Sequence, residues 1–268
     1  MAGVSVPRLS ARRGGPRRQE SAVRTDVLAL GAAVIIVSTL VARFAAERSA
    51  PESCRPASRA DAAWMRAHRS FLAGRGPGTR VVFIGDSLVA GWLTDGRDAW
   101  GRTLAPLGAR AFGIPGDRTQ NVLWRIGQGE LGGMPNLRAV VLCVGVNNAL
   151  LGHPPEDIAR GVMACVAAAR RAVPSAYILV VAPPPAGDGP TAGRVRRAND
   201  LIARACGALD IPIGSTEQAL APDGVIERSL APDGLHPNAE GYRRWADVLV
   251  PTLRAWSDGP PASEKPAS

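Results

Sequence analysis

Cysteine, histidine and aromatic residues are scarce in this chain of 268 residues, which has four cysteines, three histidines and only 4% aromatic residues. The cysteines stand at positions 54, 143, 165 and 206, and their spacings match no common zinc motif. Cys143 lies in an apolar, strand-like run, where a thiol packs as a small apolar group. A disulfide such as Cys165 with Cys206 stays open at this point. The cysteine pattern thus indicates no zinc site of the common kinds.

The chain also lacks a basic stripe interleaved with aromatic residues, although its formal net charge is +9. Five of these charges come from residues 1–25, which hold six arginines against Glu20 alone. Nucleic-acid-binding domains usually cluster their basic residues on one face or along one helix. The charge pattern therefore predicts a basic N-terminal tail and argues against a nucleic-acid partner.

One long, uncharged and mostly apolar run follows that tail, VLALGAAVIIVSTLVA at residues 27–42. A bilayer-spanning helix needs roughly 20 residues, and Arg43 can extend its charge to the headgroups. We predict a cytoplasmic tail at residues 1–25 and a transmembrane signal-anchor at residues 26–46, with the globular domain outside the cytoplasm, because arginines precede the apolar segment. No small-x-small cleavage site follows closely, but secretion after signal-peptide cleavage stays an alternative.

Composition divides the rest of the chain into three parts. Residues 47–60 are rich in serine, proline and alanine and are predicted to form a linker. Residues 61–256 form the predicted globular domain, and residues 257–268 a flexible tail. Asp61 can cap a first helix whose apolar residues recur at spacings of three and four. His68 falls in that helix and is interpreted as a packing residue rather than a catalyst.

Short apolar runs alternate with helical patterns along the domain, and no internal repeat is present. The predicted strands are Val81–Ile84, Ala109–Phe112, Ala139–Val144, Tyr177–Val181 and Ile211–Ile213. The clearest helical stretches are Pro155–Ala172, Asn199–Leu209 and Asn238–Leu253. Strands that alternate with helices predict an α/β fold in which a parallel sheet lies between two helical layers.

Ser87 follows the first predicted strand in the stretch VVFIGDSLVAGW. Ligands of such sheets bind at the carboxyl ends of the strands. A serine hydroxyl is a poor nucleophile unless a base accepts its proton. Of the three histidines, His68 lies in the first helix and His153 in a loop, whereas His236 directly precedes a helix. These positions predict that His236 is the base for Ser87.

The tetrapeptide APDG occurs twice, at residues 221–224 and 231–234, but only the second copy is followed by a histidine. Asp233 precedes His236 by three positions, so a tight turn can bring its carboxylate to one imidazole nitrogen. The other nitrogen is then available to Ser87. Asp223, in the first copy, is interpreted as an ordinary turn residue.

Acyl transfer also needs hydrogen-bond donors for the oxyanion. Gly116 follows the second strand in FGIPGDRT, where its backbone N–H can approach a ligand closely. Asn147 follows the third strand in VLCVGVNN and can offer its side-chain amide. Together with the N–H of Ser87, these donors come from three successive strand ends.

These blocks resemble the SGNH or GDSL hydrolases. The matching residues are Gly85-Asp86-Ser87-Leu88 with Gly91, Gly116, Gly145-Val146-Asn147-Asn148 and Asp233-Gly234-Leu235-His236-Pro237. Over roughly residues 61–253 the chain is similar in pattern to the catalytic subunits of platelet-activating-factor acetylhydrolase. The resemblance implies the SGNH hydrolase fold, a flavodoxin-like three-layer α/β/α sandwich with a five-stranded parallel sheet.

The resemblance also implies roles for individual residues. Ser87 would be the nucleophile, His236 the general base and then acid, and Asp233 its orienting partner. The N–H groups of Ser87 and Gly116 and the amide of Asn147 would form the oxyanion hole. No metal or organic cofactor is implied.

We therefore expect a serine esterase that hydrolyses a small-acyl, most simply acetyl, ester through an acyl-enzyme. Lysophospholipase or thioesterase activity and transfer of the acyl group to an envelope sugar stay open, as does a non-catalytic envelope-binding role. The expected partners are a small ester or a lipid- or envelope-linked acyl substrate, and the membrane through the N-terminal helix. The oligomeric state stays open, and the loop at residues 182–193 is free to shape the pocket.

Overall fold

A computed structural model describes residues 50–186 and 189–258 of the chain. Its centre is a five-stranded, all-parallel sheet with the strand order β2-β1-β3-β4-β5. The strands are β1 Val81–Gly85, β2 Ala109–Gly113, β3 Ala139–Cys143, β4 Tyr177–Ala182 and β5 Ile213–Ser215. The predicted α/β fold with a five-stranded parallel sheet is thus confirmed.

In the described part of the chain, eight α-helices of four or more residues connect or flank the strands: α1 Ala62–Ala73, α2 Ser87–Ala90, α3 Thr119–Gly127, α4 Val146–Leu150, α5 Pro155–Ala172, α6 Pro190–Gly207, α7 Thr216–Leu220 and α8 Ala239–Asp258. Short helical turns also occur at Glu52–Cys54, Gly91–Leu93, Arg97–Ala99, Trp100–Leu104 and Ala105–Leu107. The connections between parallel strands contain helices, as crossovers in such a sheet require.

The sheet separates two apolar cores, because neighbouring residues of a strand face opposite sides. Val82 and Ile84 of β1 pack with residues of α3, α5 and α6. Val81 and Phe83 face the other side, where they pack with α7, α8 and the turns after α2. All five residues of β1 are buried, as expected for a central strand covered on both faces. The structure thus has three layers.

An aromatic cluster connects α8 to the start of the fold. The ring of Trp92 lies 4.7 Å from that of Tyr242 and 5.2 Å from that of Trp245. The hydroxyl of Tyr242 donates to the carbonyl oxygen of Leu88 in α2 at 2.9 Å. A side chain at Gly91 would collide with that hydroxyl, which explains the glycine at this position of the motif. The C-terminal helix therefore fixes the position of α2.

The starts of two elements differ from the sequence-based predictions by more than one residue. Strand β5 begins at Ile213, two residues later than predicted, because Ile211 donates its N–H to Cys206 O at the end of α6 and Pro212 has no N–H to donate. Helix α6 begins at Pro190, nine residues before the predicted start at Asn199. The proline occupies the first turn of the helix, where its missing N–H has no intrahelical partner to lose. The C-terminal third of the predicted loop at residues 182–193 is therefore helical.

Residues 51–57, inside the predicted linker 47–60, pack against the domain. Ser53 is fully buried, and its hydroxyl donates to the carbonyl oxygen of Asp157 at 2.6 Å. Its own carbonyl oxygen accepts from the hydroxyl of Thr119 at 2.8 Å. Ala57 donates its N–H to Gln120 at 3.0 Å. We call residues 51–57 the N-terminal strap; they lie across α3 and α5.

Gly161 of α5 packs closely against the strap and Thr119. A Cβ atom there would lie 2.5 Å from Thr119 Oγ1 and 2.8 Å from Ser53 O. We expect Gly161→Ala to lower the free energy of unfolding by about 1–3 kcal/mol, the usual cost of overpacking. Urea-induced unfolding of both proteins measures this difference.

Gly193 of α6 provides the matched control, because a Cβ atom there would have no neighbour within 4 Å among the residues that the structure describes. We expect Gly193→Ala to be neutral or to stabilise the protein by up to about 1 kcal/mol, since alanine favours the helix. If Gly161→Ala behaved like Gly193→Ala, the close packing of the strap would be contradicted.

The predicted tail 1–25 and transmembrane segment 26–46 lie outside the described residues, so both stay predictions. Within residues 50–186 and 189–258, no helix combines the length and apolar character needed to cross a membrane. Helix α8 extends to Asp258, so it includes the first two residues of the predicted tail 257–268. All four cysteines are free thiols, and the pairing of Cys165 with Cys206 does not occur.

Candidate active site

Ser87 lies just after the carboxyl end of the interior strand β1. Gly85, two residues earlier, pairs with Gly113 at the end of β2 and with Cys143 at the end of β3. The chain then turns into α2, with Ser87 as its first residue. Within the described part of the chain, the N–H of Ser87 has no acceptor, as is usual in the first turn of a helix. Hydroxyl and N–H are thus both available at this edge of the sheet.

The structure brings together three of the residues singled out in the sequence. Ser87 Oγ lies 2.9 Å from His236 Nε2. On the other side of the ring, His236 Nδ1 lies 2.7 Å from Asp233 Oδ2. These distances are those of hydrogen bonds and form a continuous path from hydroxyl through imidazole to carboxylate. The arrangement can move a proton away from Ser87.

The turn between Asp233 and His236 explains how a spacing of three residues brings the carboxylate to the imidazole ring. Asp233 Oδ1 accepts the backbone N–H of His236 at 2.7 Å and that of Leu235 at 2.9 Å. Burial raises the pKa of Asp233, but the hydrogen bonds from the ring and backbone of His236 and from Leu235 N–H outweigh this effect. The pKa is about 2 as a result. Asp233 is therefore ionised at any ordinary pH.

The two APDG copies adopt the same turn. Gly224 and Gly234 have φ angles of 76° and 79°. Each donates its N–H at 2.8 Å to the alanine that opens its own copy. Asp223 is exposed, and its carboxylate has no partner in the described part of the chain. Asp233 therefore differs from Asp223 in the hydrogen bonds that its carboxylate accepts from Leu235 and His236.

Asn238 fixes the histidine loop to the domain. Its N–H donates to Leu230 O at 2.8 Å, and its side-chain amide donates to Ser229 O at 2.7 Å. Its side-chain oxygen accepts from the N–H of Gly241 at 3.0 Å, so it caps the start of α8. The position of His236 thus depends on the helix that follows it.

Gly116 occupies a tight turn after β2. Asp117 donates its N–H to Ile114 O at 3.1 Å, and Gly116 has a φ of 80°. Proline at the second position and a positive φ at the third are the features of a type II turn. No acceptor for the N–H of Gly116 occurs among the residues that the structure describes. This N–H is therefore available to a ligand.

Asn147 lies in the first turn of α4, after Gly145 with its φ of 124°. Its Nδ2 donates to the carbonyl oxygen of Asp117 at 2.9 Å. An amide nitrogen carries two hydrogens, so one remains for a ligand. Asp117 thereby connects the turn of Gly116 with the side chain of Asn147.

A buried cluster of charged side chains contacts Asp117, the last residue of the Gly116 turn. Arg125 is fully buried; its Nε lies 2.9 Å from Asp117 Oδ2, and its Nη1 lies 2.9 Å from Glu130 Oε2. It also donates to the carbonyl oxygens of Gly85, at 2.8 Å, and Phe112, at 3.0 Å. One guanidinium group thus contacts the ends of both β1 and β2.

Two further residues complete the cluster from α1. Trp64 donates its indole N–H to Asp117 Oδ1 at 2.7 Å. His68 Nδ1 lies 2.6 Å from Glu130 Oε1. Burial raises the pKa of both Asp117 and Glu130, against the lowering effect of Arg125. The interpretation of His68 as a packing residue missed this polar contact.

Sequence reasoning also missed Arg125. A signal was present, because Arg125 falls three positions after Val122, on the helix face that Val122 and Ile126 bury. A charged residue on the apolar face of a helix requires a buried partner. The sequence does not tell which carboxylates supply it.

Asp86, next to Ser87, has a different environment. Its Oδ1 accepts the N–H of Leu88 at 3.0 Å and so caps α2. Its Oδ2 is buried and has no hydrogen-bond partner in the described part of the chain. Burial raises the pKa of Asp86 to about 7. Asp86 therefore shapes the turn before Ser87.

Among residues 50–186 and 189–258, no group of histidine, cysteine, aspartate and glutamate side chains is arranged to hold a metal ion. The hydrogen bonds of the site are made by side-chain and backbone groups of the chain itself. The arrangement is suited to acyl transfer by an activated hydroxyl.

Comparison with known proteins agrees with this chemistry. Residues 83–244 match the model of the GDSL-like Lipase/Acylhydrolase family. The chain is 39% identical to bovine platelet-activating factor acetylhydrolase IB subunit alpha1 over 145 residues, which are 53% of this chain and 60% of that protein. It is 33% identical to the bovine alpha2 subunit over 167 residues, or 61% of this chain and 69% of that protein.

Solved structures show the same fold at lower identity. A GDSL-like lipase from Bacteroides thetaiotaomicron aligns with a TM-score of 0.61 at 19% identity, over 71% of this chain and 96% of that one. A carbohydrate acetylesterase from Sinorhizobium meliloti aligns with a TM-score of 0.54 at 20% identity, over 68% and 99%. The predicted family is confirmed: the chain belongs to the GDSL-like lipases and acylhydrolases, a family of ester-hydrolysing enzymes.

Proposed function

We propose that this protein is a serine esterase that removes a small acyl group, most simply acetyl, from an alcohol. The observation that supports the proposal most directly is the hydrogen-bonded path from Ser87 Oγ to His236 Nε2, at 2.9 Å, and from His236 Nδ1 to Asp233 Oδ2, at 2.7 Å. The relatives described as acetylhydrolases, and the acetylesterase with the same fold, support acetyl as the acyl group.

In the first half of the reaction, Ser87 Oγ forms a bond to the carbonyl carbon of the ester. Its proton moves to His236 Nε2, and the π electron pair of the carbonyl group moves to the oxygen. The N–H groups of Ser87 and Gly116 and the free hydrogen of Asn147 Nδ2 are the proposed donors to that oxyanion. The carbon–oxygen bond to the alcohol then breaks, and the alcohol leaves with the proton from His236.

In the second half, water attacks the acyl group on Ser87. His236 accepts a proton from the water, a second tetrahedral intermediate forms, and its collapse returns the proton to Ser87 Oγ. The carboxylic acid is released, and the enzyme is regenerated. Asp233 stays ionised throughout, because its pKa is about 2, and it stabilises the imidazolium form of His236.

A second candidate is hydrolysis of a longer acyl chain, as in a lysophospholipase or thioesterase. The observation that favours it is the pair Leu150 and Leu151, whose side chains are 47% and 65% exposed shortly after Asn147 in the chain. Two adjacent exposed leucines are suited to contact with an apolar chain or a lipid. A series of esters with increasing acyl length separates the two candidates.

The test uses the full-length protein with p-nitrophenyl acetate, butyrate and octanoate. We expect acetate or butyrate to be preferred and Ser87→Ala to lower kcat by at least about 1000-fold, because removal of the nucleophile leaves only binding and oxyanion stabilisation. Ser70→Ala, on the exposed face of α1, is the control and should keep wild-type activity. Undiminished hydrolysis by the Ser87 variant would refute the proposal.

Transfer of the acyl group to a sugar is tested separately. If sugars are added to the reaction and a new sugar ester forms, the enzyme also catalyses acyl transfer.

A further inference from the structure

The backbone N–H of Gly116, a proposed oxyanion donor, belongs to the same peptide group as the carbonyl oxygen of Pro115, and that oxygen accepts a hydrogen bond. The peptide bond between Pro115 and Gly116 is trans and planar, so its C=O and N–H point in opposite directions. Whatever binds Pro115 O therefore fixes the direction of the Gly116 N–H. In this turn, Pro115 O accepts a hydrogen bond from a side chain outside the turn.

That side chain is Arg59, which lies between the strap and α1. Its Nη1 donates to Pro115 O at 2.7 Å. The same nitrogen lies 3.5 Å from Asp117 Oδ1, and Nη2 lies 3.0 Å from Asp61 Oδ2. A Cβ atom on Gly116 would lie 3.4 Å from Nη1, so the guanidinium group is packed against the turn. The two carboxylates hold Arg59 where it can bind the carbonyl group.

We propose that Arg59 is a positioning residue for the oxyanion hole; this inference rests on the proposed function. Its hydrogen bond to Pro115 O holds the Pro115–Gly116 peptide with the N–H directed away from the guanidinium. A charged donor also polarises the carbonyl, which makes the N–H of the same peptide a stronger donor. Arg59 thus acts on the reaction through Gly116 and does not touch the substrate.

The fold does not depend on Arg59 in the same way. Its side chain is 33% exposed, and ion pairs at such partly exposed positions contribute little to stability. Asp117 has a buried partner of its own in Arg125, so loss of Arg59 leaves no buried charge unpaired. A substitution at position 59 can therefore change catalysis while the protein stays folded.

The experiment compares Arg59→Met, Arg59→Lys and the control Arg69→Met in the full-length protein. Arg69 is exposed on α1, and its side chain has no polar partner among the described residues. The measurements are kcat and KM for p-nitrophenyl acetate, the thermal unfolding midpoint, and the Ki of an alkyl trifluoromethyl ketone. Ser87 Oγ adds to the carbon of that ketone, its proton moves to His236, and the oxygen becomes an anion that needs the same donors.

Removal of one oxyanion donor typically costs about 100–1000-fold in kcat, and we expect Arg59→Met, which only misdirects a donor, to cost about 10–100-fold. KM should stay within about twofold, because the donors act mainly on the transition state. The Ki of the ketone should rise by about the same factor as kcat falls. Arg59→Lys, which keeps a charged donor, should recover most of the activity, and Arg69→Met should match the wild type.

Wild-type kcat and Ki in Arg59→Met would overturn the inference. So would a loss of activity that appears only in KM, or only together with a lower unfolding midpoint, since either marks a binding or structural role. If Ser87→Ala were as active as the wild type, the proposed function itself would fail and the role of Arg59 with it. Hydrolysis that depends on Ser87 but not on Arg59 refutes only the role of Arg59.

Discussion

Asp233→Asn should lower kcat for p-nitrophenyl acetate by about 1000–10,000-fold, whereas Asp223→Asn should leave it within about twofold. Asp233 accepts hydrogen bonds from the ring and the N–H of His236, and asparagine cannot stabilise the imidazolium that forms during the reaction. Asp223 occupies the same kind of turn without a histidine beside it. The two variants thus compare the same substitution in two turns of the same kind, of which only one places the aspartate beside a histidine.

The pH dependence of the wild type adds a second measurement to this comparison. Since the folded pKa of Asp233 is lowered to about 2, its charge is complete above about pH 4 and is lost only as the pH falls through about 2. We therefore expect no loss of kcat/KM between pH 9 and 4 that is due to Asp233. Equal activities of the two asparagine variants would show that the second APDG copy has no special role.

Arg125→Met is expected to lower the free energy of unfolding by about 3–5 kcal/mol, because it leaves Asp117 and Glu130 without their buried countercharge. The carbonyl oxygens of Gly85 and Phe112 lose a donor as well. Urea unfolding monitored by tryptophan fluorescence measures the change. Arg110→Met, at an exposed position of β2, is the control and should change stability by less than about 0.5 kcal/mol.

If Arg125→Met cannot be purified as folded protein, Arg125→Lys provides the second measurement. Lysine keeps the positive charge but cannot contact two carboxylates and two carbonyl groups together, because its ammonium group lacks the planar fork of arginine. We expect a smaller loss of stability than in Arg125→Met. A loss below about 1 kcal/mol in either variant would contradict the role assigned to the buried cluster.

The strand ends were predictable because a parallel sheet brings its carboxyl ends to one edge. The placement of Ser87, Gly116 and Asn147 after successive strands follows from that rule alone. The contact between Ser87 and His236, 149 positions later, could be predicted only by also asking which histidine can act as a base. Only one of the three histidines combined an aspartate at turn spacing with a position before a helix.

The supporting contacts could not be predicted, for physical reasons that differ from case to case. The serine-, proline- and alanine-rich composition of the strap indicates a linker, yet Ser53 is buried by contacts to residues more than 60 positions away. The contact of Arg59 with Pro115 could not be predicted for the same reason, because the two residues lie 56 positions apart. Side-chain pairing over such distances leaves no periodic pattern in the sequence, whereas strands and helices do.

The four free cysteines determine whether folding of the domain requires disulfide formation. Burial raises the pKa of the thiols of Cys143, Cys165 and Cys206, so little thiolate is present at neutral pH to exchange with other sulfur groups. No sulfur–sulfur bond contributes to the structure. Folding of the described domain therefore does not depend on an oxidant or a disulfide isomerase.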